Sequence, residues 1–570
     1  MSLAESRRIR EELKKDGKES RILPTKVARR YKPAELPGQP PTRKSRLCLR
    51  GDLDPDILEL ERFSPTINTM NFNLLLQLAA NSSMPAAVAD FSNAFCQSKP
   101  LERERGPLFF APPAGGVDGI HQEQIVKIIN GVYGLVDAPL HWRKSLLEEL
   151  QKLGYQSSKL DPCIWKLHDP SSGELCGAVA IEVDDLFMVG HEAHWKQMEK
   201  LKSKYKFGKW VKLQEEEDGC SFNGRRIRQL KDAEFRVDME KFINERLQPV
   251  SLEKGRLSQK KEKATEKEVS LARTTCGALN WLSKEGRPDA AGPSSLLASK
   301  LNNLTIEDIA LMNEAVKNLK ENARLFLRIQ PIKKMKLGVV SDASFANHGF
   351  HSQGGHVIIA HEEGLEKGAS TTTNILSWQS GKLQRVVNST LAAETQALSR
   401  GLGDLLWAMV TMEEFKSNRF EIQKWPERLS ATDALALSSW KTQEVLRSAL
   451  AVVDAKSLFD YLSKDTVGGQ DKRTAIEIQI IRDDLRSIGG QVRWVDHMSM
   501  IADGLTKIRG SNAALYEVVK SGRFRIKAEE VNMEARSQAR AEGVSNAVLR
   551  RTGIKEKGGD DIHDSSIEHG

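Results

Sequence analysis

The chain has 570 residues, too many for one ordinary domain and enough for several buried cores. Hydrophobic residues at 39% and charged residues at 28% make a globular composition and exclude a low-complexity chain. The formal charge of +8 and a pI near 8.9 favour a polyanionic partner such as nucleic acid, but only weakly, because many housekeeping proteins are as basic.

The six cysteines (Cys48, Cys96, Cys163, Cys176, Cys220, Cys276) form no CxxC pair and no Cys/His cluster, which argues against a zinc site and against a secreted disulfide framework. No apolar run approaches the length needed to cross a bilayer, so no membrane partner is expected. A reducing intracellular compartment is the expectation.

In chain order, MSLAESRRIREELKKDGKES predicts a charged helix without the apolar stretch of a signal peptide. A basic, proline-punctuated segment runs to about Pro41. Apolar runs and turn signals from Arg46 to about Arg228 then predict a mixed α/β unit. Within it, AAVADFSNAF (86–95) reads as a short strand ending in Asp90, either a site acid or a helix N-cap.

The run AVAIEVDDLFMVG (178–190) reads as a strand, a tight turn at Asp184 and Asp185, and a returning strand. Two carboxylates this close repel each other unless cations neutralise them. Hard divalent ions such as Mg²⁺ take carboxylate, water and phosphate oxygens, so one reading is a phosphoryl-transfer metal site needing a further acid. The other is an ordinary surface turn. KWVKLQEEEDG (209–219) follows as a strand edge and an acidic turn.

The next part, to about Gln330, is mainly helical. KKEKATEK (260–267) is a solvated linker or helix face. TIEDIALMNEAVKNLKENARLF (305–326) predicts a core-facing helix with Ile309, Met312, Val316, Leu319, Ala323 and Phe326 on one stripe and Thr305 as N-cap. A second α/β pattern runs from Leu337 to about Lys507. KLGVVSDASF, GGHVIIAH and NILSWQS are three strands, and TLAAETQALSRGLGDLLWAMVTMEEF is a long helix packed through Leu398, Leu402, Leu405, Met409 and Met412.

Four acids stand at separate points of this pattern. Asp342 lies in a strand, Glu394 in the first turns of the long helix, Asp454 at the end of LAVVD, and Asp503 in MIADGLTK. Each has a plain role as a strand end, helix charge or turn, whereas four converging carboxylates are what a two-metal nuclease needs. After about Gly510 periodicity is lost, and the end, KEKGGDDIHDSSIEHG, reads as disordered.

The motifs in order resemble the reverse transcriptase and RNase H region of copia-type LTR retrotransposon Pol polyproteins over about residues 24 to 510. SRLCLRGDLDPD and RFSPTINTMNFNLLLQLAANSSM resemble the segment before the first catalytic motif, ADFSNAF. VYGLVDAPLHWRKSLLEELQKLGYQSSKLDPCIW (132–165) resembles the family's most characteristic block, and VDD its metal-binding hairpin. FNGRRIRQ and TTCGALNWLSKEGRPD (274–289) continue the match. SDASFA, STLAAETQAL, VVDAKSL and IADGLTK are similar to the linked RNase H domain.

The resemblance implies an α/β (α+β) chain, a right-hand polymerase with fingers, a ferredoxin-like palm and a helical thumb or connection, followed by an RNase H-like mixed-sheet domain. It implies a charged N-terminal segment over 1–23, fingers and palm over 24–230, the thumb or connection over 231–332, RNase H over 333–510 and a charged, disordered tail over 511–570. Asp90, Asp184 and Asp185 would hold two Mg²⁺ ions, and Asp342, Glu394, Asp454 and Asp503 two more, with Mn²⁺ as a substitute in either site. Phe95 would exclude a 2′-hydroxyl or pack as a core aromatic. Arg46 and Arg50 would grip nucleotide phosphates or lie on the surface. Tyr133 and Gly134 would shape the nucleotide pocket or close a buried turn. His497 would help release product or simply form a turn.

The implied partners are an RNA/DNA template-primer, an RNA–DNA hybrid, deoxynucleoside triphosphates and other retroelement proteins, in a cytoplasmic particle or the nucleus. Two positions depart from the family pattern: Glu182 stands where an aromatic or other neutral residue is usual, and Asp137 where Gln is usual. The chain shows no zinc knuckle, aspartic-protease signature or integrase-like His/Cys arrangement. A C-terminal part of a polyprotein, a processed product and a decayed copy all remain open, as do a non-catalytic nucleic-acid-binding relic and RNase H activity beside a dead polymerase.

Overall fold

The computed structural model describes residues 1–32, 40–348, 351–418, 421–425, 449–464, 471–526 and 538. Contacts divide the chain into one unit of Met1–Asn68, Met84–Asn223 and Glu414–Asn418, and a second of Thr69–Ser83, Gly224–Glu413 and Arg419–Gly570.

The first unit begins with the expected charged helix, Leu3–Lys15, held at its start by a reciprocal Ser2–Glu5 capping box. Strands β1 (Thr25–Lys32) and β2 (Thr42–Leu49) form an antiparallel ribbon. The central sheet uses β3 (Ala86–Phe91), the short strand Gln156–Ser157, β4 (Ile164–His168), β5 (Leu175–Glu182), β6 (Asp185–Gly190) and β7 (Phe207–Lys212). Its order is β7–β3–β6–β5–β4 and then Gln156–Ser157, and every pairing is antiparallel. The acidic turn after KWVK follows β7, which is an edge strand as its sequence suggests.

Helices α1 (Ala138–Lys152) and α2 (Glu192–Lys204) cover one face of this sheet. Trp142, Leu146, Leu150, Met198 and Leu201 pack there against Ala87, Ala89, Val179, Ile181, Leu186 and Met188. Strand residues alternate between faces, so Val88 and Asp90 of β3, and Asp185 and Phe187 of β6, belong to the face the helices leave uncovered.

In the second unit, α3 (Glu266–Glu285) and α4 (Ile306–Glu321) each start with a capping box, Thr265 with Glu268 and Thr305 with Asp308. Thus KKEKATEK is exposed over much of its length but ends in a helix cap. Ile309, Met312, Val316 and Leu319 enter a shared core with Ala272, Leu279 and Leu282. Ala323 reaches the same core, but the helix stops five residues before Phe326, contrary to the single stripe drawn through Phe326. Asn322 caps it, and Phe326–Ile329 becomes a strand paired with Phe235–Asp238, because alternation in FLRI buries Leu327 and Ile329 on one side.

The large sheet of this unit contains β8 (Met335–His348), β9 (His351–Glu362), β10 (Thr371–Lys382), β11 (Leu450–Val453), β12 (Gln491–Trp494) and β13 (Arg523–Phe524). Its order is β12–β11–β8–β9–β10–β13. Strands β8, β9 and β10 are antiparallel neighbours, while β11 and β12 run parallel to β8, giving a mixed sheet. The long helix α5 (Thr390–Lys416) buries Leu398, Leu402, Leu405, Met409 and Met412, the stripe read from the sequence.

The start of the expected disordered tail is folded. Residues Ala513–Ser521 form a helix with Leu515, Val518 and Val519 buried, Gly522 ends it at φ +67°, and β13 follows. Except for Gln538, residues 527–570 lie outside the described residues. No helix among the described residues is long and apolar enough to cross a membrane.

Candidate active sites

Three separated aspartates of the first unit come together because β3 and β6 are adjacent. Asp185 sits directly opposite Asp90 in the ladder, and the Phe91 N–H donates to the Asp184 carbonyl at 3.1 Å. Asp90, Asp184 and Asp185 line one cleft of about 590 Å³ together with Lys44, Arg46 and Tyr133. Burial pushes the Asp185 carboxyl up to about 7, and the charges of Asp184, Asp90 and Glu182 add to the effect. Burial also raises Asp184, with Asp90 adding to it and Arg46 and Lys44 opposing it.

Arg46 stands over the Tyr133 ring at 5.1 Å, and Phe95 stacks against the same ring at 4.8 Å. The Gly134 backbone, at φ +100°, passes so close to β2 that a Cβ would lie 2.2 Å from the Leu49 carbonyl oxygen. The Leu49 N–H donates to Tyr133 O at 2.8 Å. Gly134 therefore closes a tight backbone crossing that holds Tyr133 at the cleft. Arg50 is placed differently: its exposed guanidinium pairs with Asp52 at 2.7 Å, outside the cleft lining.

Both departures from the family pattern have local partners. Glu182 accepts the Ile67 N–H at 2.9 Å. Asp137 shares the buried Arg103 guanidinium with Asp54, at 3.0 and 3.1 Å.

In the second unit, Asp342 comes from β8, Glu394 from α5 and Asp454 from the residue after β11. One carboxylate oxygen of each lies within 4.8 Å of the others. Among the described residues, no other three His, Cys, Asp or Glu side chains offer ligand atoms that close together, so Asp90, Asp184 and Asp185 are more widely spaced. Burial raises all three carboxyls of the tight group, Glu394 most strongly, and Asp454 reaches about 7. The Thr506 hydroxyl donates to Asp342, and Lys507 pairs with Asp503 while its Nζ lies 3.9 Å from Asp342 Oδ2.

Asp503 is not one of the three tightly grouped acids, although its charge acts on Asp342 and Asp454. One of its oxygens faces Lys507, and the other accepts the Ser511 N–H at 2.7 Å. His497 opens a single turn, with Nδ1 3.3 Å from Asp496 Oδ1, and its charge acts on Asp454.

Both groups suit a hard divalent cation. Their donors are carboxylates, and Asp90 Oδ1 and Glu394 Oε2 are buried without a hydrogen-bond partner. Beside Asp90, a Cβ at Gly208 would lie 3.1 Å from Oδ1, so glycine leaves the carboxylate uncrowded. Sequence reading missed Gly208, which carries no motif signal, and Lys44. Thr506 and Lys507 were visible in IADGLTK but had no assigned role.

Residues 12–258 match the family described as reverse transcriptase (RNA-dependent DNA polymerase). A retrovirus-related Pol polyprotein from transposon RE1 of Arabidopsis thaliana is 27% identical over 150 residues, 26% of this chain and 10% of that protein. Residues 12–258 are thus similar to a reverse transcriptase region of the kind found in retrotransposon Pol polyproteins. A transposon Ty5-1 protein of Saccharomyces cerevisiae is 24% identical over 315 residues, 52% of this chain and 94% of that one. The chain spans about a tenth of the RE1 polyprotein and of its RE2 counterpart.

Among solved structures, a foamy viral protease-reverse transcriptase in complex with ds DNA aligns with 86% of this chain and 68% of its own, at 13% identity and a TM-score of 0.43. A mycobacterial N-terminal RNase H domain aligns with 33% of this chain and 98% of its own, at 14% identity and a TM-score of 0.18. The family match over residues 12–258 includes Asp90, Asp184 and Asp185.

Proposed function

We propose that the chain is an RNA-directed DNA polymerase linked to RNase H, with fingers and palm over 24–230, a thumb or connection over 231–332 and the nuclease over 333–510. The observation that carries this reading is the meeting of Asp90, Asp184 and Asp185 in one cleft within residues matched to reverse transcriptases. The polymerase would join a primer 3′-hydroxyl to a deoxynucleotide along an RNA or DNA template and release pyrophosphate. The nuclease would hydrolyse the RNA strand of the hybrid.

Asp90, Asp184 and Asp185 would hold two Mg²⁺ or Mn²⁺ ions, and Asp342, Glu394 and Asp454, with Asp503 beside them, another two. When bound, such ions neutralise charge on the attacking and leaving oxygens of phosphoryl transfer. The protein contributes position. Strands β3 and β6 fix the acids on a rigid sheet, and Lys44 and Arg46 place positive charge at the cleft to receive a triphosphate. Tyr133 contacts both Arg46 and Phe95, which would set Phe95 against the nucleotide sugar. In the second unit, Thr506 holds Asp342 by its hydroxyl, and Lys507 partly balances the acids.

Primer extension and hybrid cleavage, measured on the same preparations, test the assignment. Asp184→Asn should abolish extension and spare cleavage, and Asp342→Asn should do the reverse. Cleavage without extension in the parent protein would leave only the nuclease reading. Binding of hybrid with neither activity would make the chain a relic and overturn the proposal.

A further inference from the structure

At Val183, between β5 and the acid pair, side chain and backbone conflict. Valine is β-branched, yet φ is +55°, in the left-handed region where a Cβ-branched residue is sterically disfavoured. The other described non-glycine residues with positive φ are Ser83, Asn93, Asn223, Ala233, Lys334 and Ala346, none of them β-branched. A turn that disfavours its own conformation has to be held by its surroundings.

Two hydrogen bonds hold it. The Phe91 N–H, on Asp184 O at 3.1 Å, comes from the neighbouring strand. The Trp142 indole N–H reaches across from α1 and donates to Val183 O at 3.1 Å. Trp142 is fully buried. The Phe91 and Tyr205 rings meet it edge-on, with centroids at 4.7 and 5.3 Å, so the donor has little freedom to move. Its bond ends on the peptide that joins Val183 to Asp184, where a small rotation would swing both carboxylates relative to Asp90.

We propose that Trp142 is a positioning residue for Asp184 and Asp185, its indole clamping the strained Val183 peptide so that the acid pair is aimed at the cation site. This rests on the reading of the cleft as a divalent-metal polymerase site. In its simplest form, the claim is that the clamp is needed because residue 183 is not glycine.

The test uses the full chain carrying Asp454→Asn, which weakens the second acid group, and follows Mn²⁺ binding by electron paramagnetic resonance. Trp142→Phe keeps an aromatic ring but loses the donor, and should weaken the Asp184-dependent binding about tenfold. Under primer extension the same variant should lose about tenfold in kcat, with the nucleotide KM changed less than about twofold. In a Val183→Gly background, Trp142→Phe should weaken Mn²⁺ binding by less than about twofold, because glycine adopts positive φ unaided.

The two Trp142→Phe proteins lack the same part of the indole, so a packing defect would weaken both alike. That outcome overturns the proposal, as does undiminished binding in Trp142→Phe alone. A parent protein without Asp184→Asn-sensitive Mn²⁺ binding would overturn the reading of the cleft itself, and the proposal with it.

Discussion

Replacing Asp454 by Asn should stabilise the metal-free second unit, and by more at pH 8 than at pH 5. Oxygens of Asp342, Glu394 and Asp454 lie within 4.8 Å of one another. At that distance and an effective dielectric near 20, two full charges repel by about 3.5 kcal/mol. Lys507, 3.9 Å from Asp342, offsets part of this. Burial, followed by the Asp342 charge, moves the Asp454 carboxyl from 3.8 to about 7. The folded chain therefore holds that proton more tightly than the unfolded chain does. The stability linked to it is fully present below 3.8 and is lost as pH rises through about 7. Such a displacement corresponds to about 4 kcal/mol, most of it accruing between pH 5 and pH 8. Because Asp342 and Glu394 draw on the same protons, the expected gain of Asp454→Asn over the parent from pH 5 to pH 8 is about 2 kcal/mol, or about thirtyfold in protection. Hydrogen exchange of the β11 amides in chelator reads it directly, since intrinsic exchange rates cancel when both proteins are compared at one pH. Saturating Mg²⁺ should remove the variant's advantage. An equal gain at both pH values, or a loss at pH 8, would refute the account of a repulsive acid trio.

Arg103→Met should lower the stability of the first unit by about 3–5 kcal/mol, because it leaves the buried Asp54 and Asp137 carboxylates without their shared cation. Thermal melting checks this; a fall below about 1 kcal/mol would mean the trio is dispensable. Gly208→Ala should weaken Mn²⁺ binding and primer extension several-fold, since its methyl would crowd Asp90 Oδ1 at 3.1 Å, and should leave hybrid cleavage unchanged.

Periodicity and turn chemistry made the scaffold legible. The DD hairpin, the strand ending near Asp90, the three antiparallel strands and the packed face of α5 are local patterns, each decided within a dozen residues. The end of α4 was not legible, because Phe326 takes part in both a helical stripe and a strand alternation. Only the pairing partner Phe235–Asp238 decides between them. The helix Ala513–Ser521 was missed for a related reason, being too short for its apolar face to stand out from a polar tail. The acids were found through resemblance and order along the chain. The groups that hold them, Trp142, Gly208, Thr506 and Lys507, act through contacts between distant segments, and no spacing in one sequence encodes these.

The two acid groups meet the same electrostatic difficulty in different ways. In the first unit a hairpin tip carries two of the acids, the cleft opens beside them, and Arg46 and Lys44 lower the cost of charge from outside the sheet. In the second, the trio is drawn from a strand, a helix and a strand end, with Asp342 and Glu394 buried and Asp454 half-buried, and Lys507 is turned back among the acids. Position is therefore fixed locally in one case and by tertiary packing in the other. A substitution that loosens a single turn, at Val183, should thus be felt at the first group, whereas the second should respond most to changes in charge.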